Sequence, residues 1–223
     1  MIDANDHRRN HLILLAVIGL AFVFVVPQLG LTRLIFEGTA IGPRIGREII
    51  WVGFALIVLV WVTRVERLPV ASIGLVRPTW HTLTWGLAAT VLVLATLMLS
   101  FALIIPTLGL QQNMAATGAI VQVPLWLLIL TPFVAGITEE ILYRGYAIER
   151  LTLLTGRPWL AALLAGAAFM LVHLHWGAAQ LIVVGFGTLI FVSLYLWRRD
   201  LPCVMIAHVL ADLVGFALAR AQM

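Results

Sequence analysis

The sequence predicts an all-α fold, a polytopic transmembrane helical bundle of about seven spans. Three numbers support this prediction: of the 223 residues, 62% are apolar and 11% are charged, and the mean hydropathy is +1.07. A soluble globular domain is about half apolar and a quarter charged. The composition therefore excludes that class, together with disordered and disulfide-rich secreted chains. At roughly 20 residues per span, the chain has room for about six to eight helices.

Seven apolar segments can be drawn along the chain. The first follows Arg8-Arg9 and lacks a small-residue cleavage pattern, which predicts a retained signal-anchor. The second is short, and the Gly/Arg-rich residues 31–47 before it are predicted to lie at the membrane interface. The fourth runs without a turn signal from Pro124 to Gly156, long enough to cross the membrane and continue beyond it. The predicted segments are residues 11–30, 48–63, 82–105, 122–154, 158–174, 177–197 and 201–220.

The chain shows no internal repeat and no linker, so we expect one membrane domain over residues 1–223. Within it, residues 1–105 hold the N-terminal spans and residues 120–220 a core. The single cysteine, Cys203, permits no internal disulfide.

All 14 basic residues are arginines, and several flank the apolar segments. This distribution indicates anchoring in membrane lipids rather than nucleic-acid binding, which needs a concentrated basic face. Placing the N-terminus in the cytoplasm puts ten arginines inside and four outside. We therefore expect a multi-pass integral membrane protein with its N-terminus inside.

Most charged side chains are assigned to helix ends and loops. The exceptions lie within three predicted helices: Glu139, Glu140, Arg144, His173, His208 and Asp212. Ionisable groups inside a membrane are costly and mark functional sites or buried pairs. Glu139 and His173 each lie 15 residues from a proline that starts their helix, roughly 22 Å at 1.5 Å per residue. His208 and Asp212 lie about 9–15 Å from the start of theirs. One cavity, in the cytoplasmic half to the centre of the bilayer, can hold all of them.

Helical spacing separates the two adjacent glutamates. Glu140 and Arg144 are four residues apart and can pair on one face, whereas Glu139 points about 100° away. The pair could serve only as a structural ion pair, and His208 with Asp212 could simply bridge helices. His175 lies about 200° round from His173 and is predicted to face elsewhere.

These groups suit the activation of water. A carboxylate can act as general base, one imidazole can hold the water or protonate a leaving amine, and another can donate to an oxyanion. Glu139, His173, His208 and Asp212 could instead hold zinc or another divalent metal, although the H-E-x-x-H signature is absent. The residues alone leave both the metal-free and the metal-dependent mechanism open.

Three ordered motifs resemble the CPBP family of CAAX-protease and bacteriocin-processing (ABI) intramembrane endopeptidases. They are Glu139-Glu140-x-x-x-Arg144, then Phe169-x-x-x-His173, then His208-x-x-x-Asp212. The resemblance covers roughly residues 120–220. It implies an active site within the membrane, a membrane-associated or lipidated peptide or protein as substrate, and a bacterial cytoplasmic membrane as location.

The resemblance also implies roles for individual residues. Glu139 would activate water with His173, and Glu140 with Arg144 would support the site. His208 and the residue at 212 would stabilise the oxyanion. The eukaryotic prenyl endopeptidases of the family have Asn where this chain has Asp212. An ionised Asp repels an oxyanion, so Asp212 must be protonated, paired with His208 or acting as a ligand.

Two other classes of function stay open at this point. A secondary transporter or proton relay also places Glu, His and Asp at mid-membrane, but favours repeats and broken helices. A catalytically inactive immunity or scaffold protein would tolerate changes at Glu139 and His173.

Overall fold

The computed structural model describes residues 4–30 and 40–223, with side chains from residue 7 onwards. Within these ranges the chain forms eight helices, short 3-10 turns and no strand. The helices are α1 (Ala4–Val25), α2 (Ile41–Val65), α3 (Trp80–Thr107), α4 (Met114–Val121), α5 (Leu125–Thr155), α6 (Pro158–Val172), α7 (Ala178–Arg198) and α8 (Leu201–Ala221). The predicted helical bundle is therefore confirmed.

Each of the seven predicted segments coincides with a helix. Six helices are long and apolar enough to cross a membrane, and the seventh, α6, has 15 residues. Two features differ from the prediction. Helix α2 begins at Ile41, seven residues earlier than expected, while residues 31–39 lie outside the described part of the chain. Helix α4 was not predicted, because its eight residues are too few for a periodic signal.

Close helix approach fixes the core of the bundle. Helix α8 packs against α3 and α5, α7 packs against α3 and α6, and α2 packs against α5. At the contact of α5 with α8, a Cβ added to Gly136 would lie 2.6 Å from Val209 Cγ2 and 2.9 Å from Val209 N. Only a glycine permits this approach. It brings the residues just after Gly136 beside the middle of α8.

The bundle has two unequal faces, because successive long helices run antiparallel. We call the face where α1, α3, α6 and α8 begin the arginine-rich face. Among the described arginines, nine lie at its helix ends and connections, whereas Arg44, Arg47 and Arg220 lie at the opposite face. The nine are Arg8, Arg9, Arg64, Arg67, Arg77, Arg150, Arg157, Arg198 and Arg199.

One charged cluster near the arginine-rich face is buried, although its two charged residues lie at or near helix ends. Glu66 accepts hydrogen bonds from Tyr146 Oη (2.8 Å) and from Arg150 Nη2 and Nε (2.7 and 3.0 Å). Arg150 also donates to the backbone carbonyl and hydroxyl of Ser72. The two charges can be buried because each compensates the other and their hydrogen-bonding groups are satisfied. We call this set the Glu66 cluster.

Candidate active site

The two glutamates lie where α5 changes its helical geometry. Regular α-helix ends at Glu139, and residues Glu140–Ala147 form a π-helical segment in which all eight residues are buried. Such segments inside α-helices are frequent at functional sites. Glu140 is completely buried, whereas Glu139 is partly exposed and lines a cavity. The predicted divergence of the two side chains is therefore present in the structure.

Glu140 is the centre of a buried charged group. Its Oε1 lies 3.1 Å from Arg144 Nη1 and 2.7 Å from His208 Nδ1. His208 Nε2 lies 3.5 Å from Asp212 Oδ2 on the next turn of α8. His208 thus stands between two carboxylates, one from each of two helices. We call these four residues the Glu140 cluster.

Aromatic rings hold two members of this cluster. The Arg144 guanidinium lies over the ring of Phe169, 4.2 Å from its centroid, and Nη2 donates to Thr188 Oγ1 at 3.4 Å. The His208 ring stacks on Phe191 with centroids 4.9 Å apart. Phe191 was missed from the sequence, because it is one apolar residue in an apolar helix and carries no motif.

His173 terminates α6 and approaches the same region from another helix. Its Nδ1 lies 2.9 Å from the backbone carbonyl oxygen of Phe169. Since a carbonyl only accepts, Nδ1 carries the proton and Nε2 keeps its lone pair. The imidazole ring is held between Phe169 and Trp176, with centroid distances of 4.5 and 5.0 Å. The ring is therefore fixed in one orientation and has a free basic nitrogen.

A cavity of about 680 Å³ joins the separate groups. Its lining includes Glu139, His173, His208 and Asp212. The structure therefore brings together the polar residues that the sequence placed at similar depths in their helices. Glu140 and Arg144 stand behind this wall. Among the described residues, no hydrogen bond or ion pair engages Glu139, in contrast to its neighbour Glu140.

The cavity extends in a direction that the sequence did not predict. From the polar groups it continues to the face opposite the arginine-rich one, where Gln112, Thr117, Gln180 and Gln222 line it. Between the polar groups and the arginine-rich face, the structure instead has fully buried side chains such as Tyr146, Ile148 and Leu201. Arg44 and Glu48 of α2 also line the cavity, although the sequence placed Arg44 in the interfacial stretch 31–47 and singled out neither residue for the site.

The arrangement does not fit a preformed metal centre. Among the described His, Cys, Asp and Glu side chains, no three are grouped to hold a metal ion. Both nitrogens of His208 already face carboxylates, so a metal would have to displace one of them.

The cavity is bordered by a carboxylate, an imidazole and a buried charged cluster. This arrangement is typical of a candidate intramembrane hydrolase. Residues 121–214 match the model of the family described as type II CAAX prenyl endopeptidase Rce1-like. The match covers less than half of the chain and agrees with its resemblance to the CPBP family, whose model describes a peptidase. With its apolar helices, the protein is an integral multi-pass membrane protein. No curated protein and no solved structure matches the chain significantly.

Proposed function

We propose that the protein is an intramembrane endopeptidase in which Glu139 activates a water molecule with the help of His173. One observation carries this proposal: Glu139, which has no hydrogen bond or ion pair among the described residues, and the His173 imidazole line the same cavity from two different helices. A general base must lie within reach of the proton that it removes. A cavity that is open to water brings a water molecule, the proton donor, to Glu139.

The reaction divides between the two residues. Glu139 takes a proton from water as the oxygen attacks the carbonyl carbon of the scissile bond. The carbon–nitrogen bond then breaks, and the proton reaches the departing amine from Glu139 or through His173. One water is consumed, giving a new carboxyl terminus and a new amino terminus. The fixed His173 ring restricts the water to one position, which favours the attack.

The Glu140 cluster would stabilise the oxyanion through His208. Glu140 accepts from Nδ1 at 2.7 Å and fixes the ring, while the 3.5 Å separation from Asp212 is long for a hydrogen bond. With Nδ1–H donated to Glu140, His208 must be an imidazolium to carry a proton on Nε2 as well. Because the contact with Asp212 is long, this N–H can also donate to a developing negative oxygen placed beside it. Pairing with His208 also reduces the repulsion between Asp212 and that oxygen. Of the three states considered for Asp212, which are protonated, paired with His208 and acting as a ligand, this supports the paired one.

The cavity wall supports a membrane-associated or lipidated peptide as substrate. On the α3 side it is apolar, and Met98, which is 64% exposed, connects the cavity lining with the lipid-facing surface. The apolar wall consists of Val93, Leu97, Met98, Phe101 and Ala102. An apolar chain could lie along it with a peptide bond beside Glu139.

Transport is less well supported than hydrolysis. A transporter must open its central site to both faces in turn. Here all eight residues of the π segment are buried between the polar groups and the arginine-rich face. A sealed layer on one side suits a hydrolase, which needs only one entrance.

The test is an assay of purified protein in detergent against a panel of lipidated and membrane peptides. We expect wild type to cleave at least one peptide, and Glu139→Gln and His173→Ala to lose that cleavage. His175→Ala is the matched control, because His175 is a neighbouring histidine outside the cavity lining. Equal cleavage by all four proteins, or none by wild type on a broad panel, would refute the proposal. An inactive scaffold gives the second result.

A chelator added to the same assay addresses the metal alternative. The proposed mechanism predicts full activity after metal removal. Loss of activity that returns with added zinc would instead support metal ligation by Glu139, His173, His208 and Asp212.

A further inference from the structure

The candidate active site is closed toward the arginine-rich face. Below Glu139 the whole π segment is buried, and Tyr146, Ala147 and Ile148 have no exposed surface. The start of α8 completes the barrier, since Leu201, Cys203 and Val204 are also fully buried. A peptide could reach Glu139 from this face only by displacing closely packed core side chains.

The same site is open toward the opposite face. Helix α4 lies at this end of the cavity and contributes Ala116 and Thr117 to its lining. Gln180 joins the mouth from the start of α7, and its Nε2 donates to Thr117 Oγ1 at 3.4 Å. The lining therefore changes from carboxylate and imidazole groups at mid-membrane to neutral amides and a hydroxyl where the cavity meets water.

The arginines determine which compartment each face meets. Nine of the described arginines lie at the closed face and three at the open one. Short connections rich in arginine stay in the cytoplasm during membrane insertion. The closed face is thus assigned to the cytoplasm and the open face to the other side of the membrane.

From these three observations we propose that the active site is loaded from the extracytoplasmic side. Its substrate is then a peptide segment that is anchored in, or exposed at, the outer leaflet, rather than a protein presented by the cytoplasm. This inference rests on the proposed endopeptidase function, but its first test does not depend on activity.

The first experiment measures the accessibility of cysteines to a membrane-impermeant maleimide in intact bacterial cells that express the protein. The background is low, because the only native cysteine, Cys203, is fully buried. Ala116→Cys places a small thiol at the mouth, and Arg77→Cys places one at the exposed arginine-rich face as the matched control.

We expect Ala116→Cys to be labelled to the same extent before and after permeabilisation of the cytoplasmic membrane. Arg77→Cys should gain at least about tenfold in labelling on permeabilisation, since a sealed membrane excludes the reagent. The opposite pattern overturns the inference. If the two cysteines disagree or neither reacts, a fusion at the C-terminus decides, because α8 ends at the open face. Active alkaline phosphatase there supports the inference, and a fluorescent cytoplasmic reporter overturns it.

The second experiment uses a peptide that the detergent assay has shown to be cleaved. Sealed right-side-out vesicles should cleave the added peptide, and inverted vesicles should not until detergent is added. Cleavage by inverted vesicles alone overturns the direction of loading and leaves the endopeptidase function intact. No Glu139-dependent cleavage even in detergent overturns the function itself.

Discussion

The two buried carboxylate clusters of this protein differ in how completely their atoms are bonded. In the Glu66 cluster, both oxygens of Glu66 accept hydrogen bonds, from Tyr146 and from a bidentate Arg150. In the Glu140 cluster, Glu140 Oε2 and Arg144 Nε have no hydrogen-bond partner within the described part of the chain, and Arg144 Nη1 meets Glu140 Oε1 only as an ion contact of 3.1 Å. The first is sealed in the core, and the second borders a cavity.

The difference separates a structural role from a chemical one. A fully satisfied buried ion pair holds helices together and has little capacity left for a ligand. A cluster with spare donors and acceptors beside a cavity can respond to a substrate or to developing charge. Under the proposed function, one pairing chemistry serves twice: for packing in the Glu66 cluster and for the reaction beside the Glu140 cluster.

The largest expected effect is that of Glu139→Gln on turnover. Because the amide cannot take a proton from water, kcat should fall about 10²–10⁴-fold. The thermal unfolding midpoint in detergent should hardly change, since Glu139 has no bonded partner among the described residues. A variant that loses stability and activity together would place Glu139 with the structural carboxylates.

The His173→Ala variant should reduce kcat about 10²-fold, at the lower end of the range for one acid–base group. His175→Ala serves as control, because its side chain is bonded to the carbonyl of Val172 and lies outside the cavity lining. The measurement is turnover of both variants on the same peptide. Equal losses would show that the connection after α6, rather than the free Nε2 of His173, is what matters.

For the Glu66 cluster we expect the reverse pattern. Glu66→Gln leaves Arg150 buried without a compensating charge, and removing one partner of such a pair costs about 3–5 kcal/mol. The thermal midpoint in detergent should drop, while protein that remains folded should keep wild-type turnover. A Glu66→Gln variant with normal stability but lost turnover would remove the distinction between the two clusters.

The smallest effect is expected at Asp212. Asn keeps an oxygen that can accept from His208 Nε2, so Asp212→Asn loses only the charge of a long 3.5 Å contact. That contact contributes about 1 kcal/mol, which corresponds to at most about tenfold in kcat. Asp212→Ala should lose more, because it leaves Nε2 without the acceptor. If Asn were as damaging as Ala, the negative charge itself would be required.

Local signals in the sequence predicted much of the bundle. The apolar runs are long enough to predict seven helices, and Gly156 ends α5 in a left-handed conformation, as a glycine after a helix commonly does. The spacing of Glu140 and Arg144 predicted an ion pair that forms even in π-helical geometry. In each case the residues that matter lie within a few turns of one another.

Features that depend on distant residues could not be predicted in this way. Glu66 and Arg150 are 84 positions apart, the first directly after α2 and the second near the end of α5, so both resembled interfacial charges. Trp176 and Phe191, which hold His173 and His208, are apolar residues in an apolar chain and have no distinguishing pattern. Only the packing of the helices shows which of these residues touch.

The sequence by itself determined the membrane environment, the antiparallel course of the helices and the few polar residues at membrane depth. Composition and helical periodicity are local properties. Because a charge in lipid is costly, the few charged residues within apolar segments are conspicuous in the sequence. The tertiary structure decided which carboxylate is bonded and which has no bonded partner among the described residues, and toward which face the cavity opens. Those properties depend on where packed side chains fill the space between helices, which no local pattern specifies.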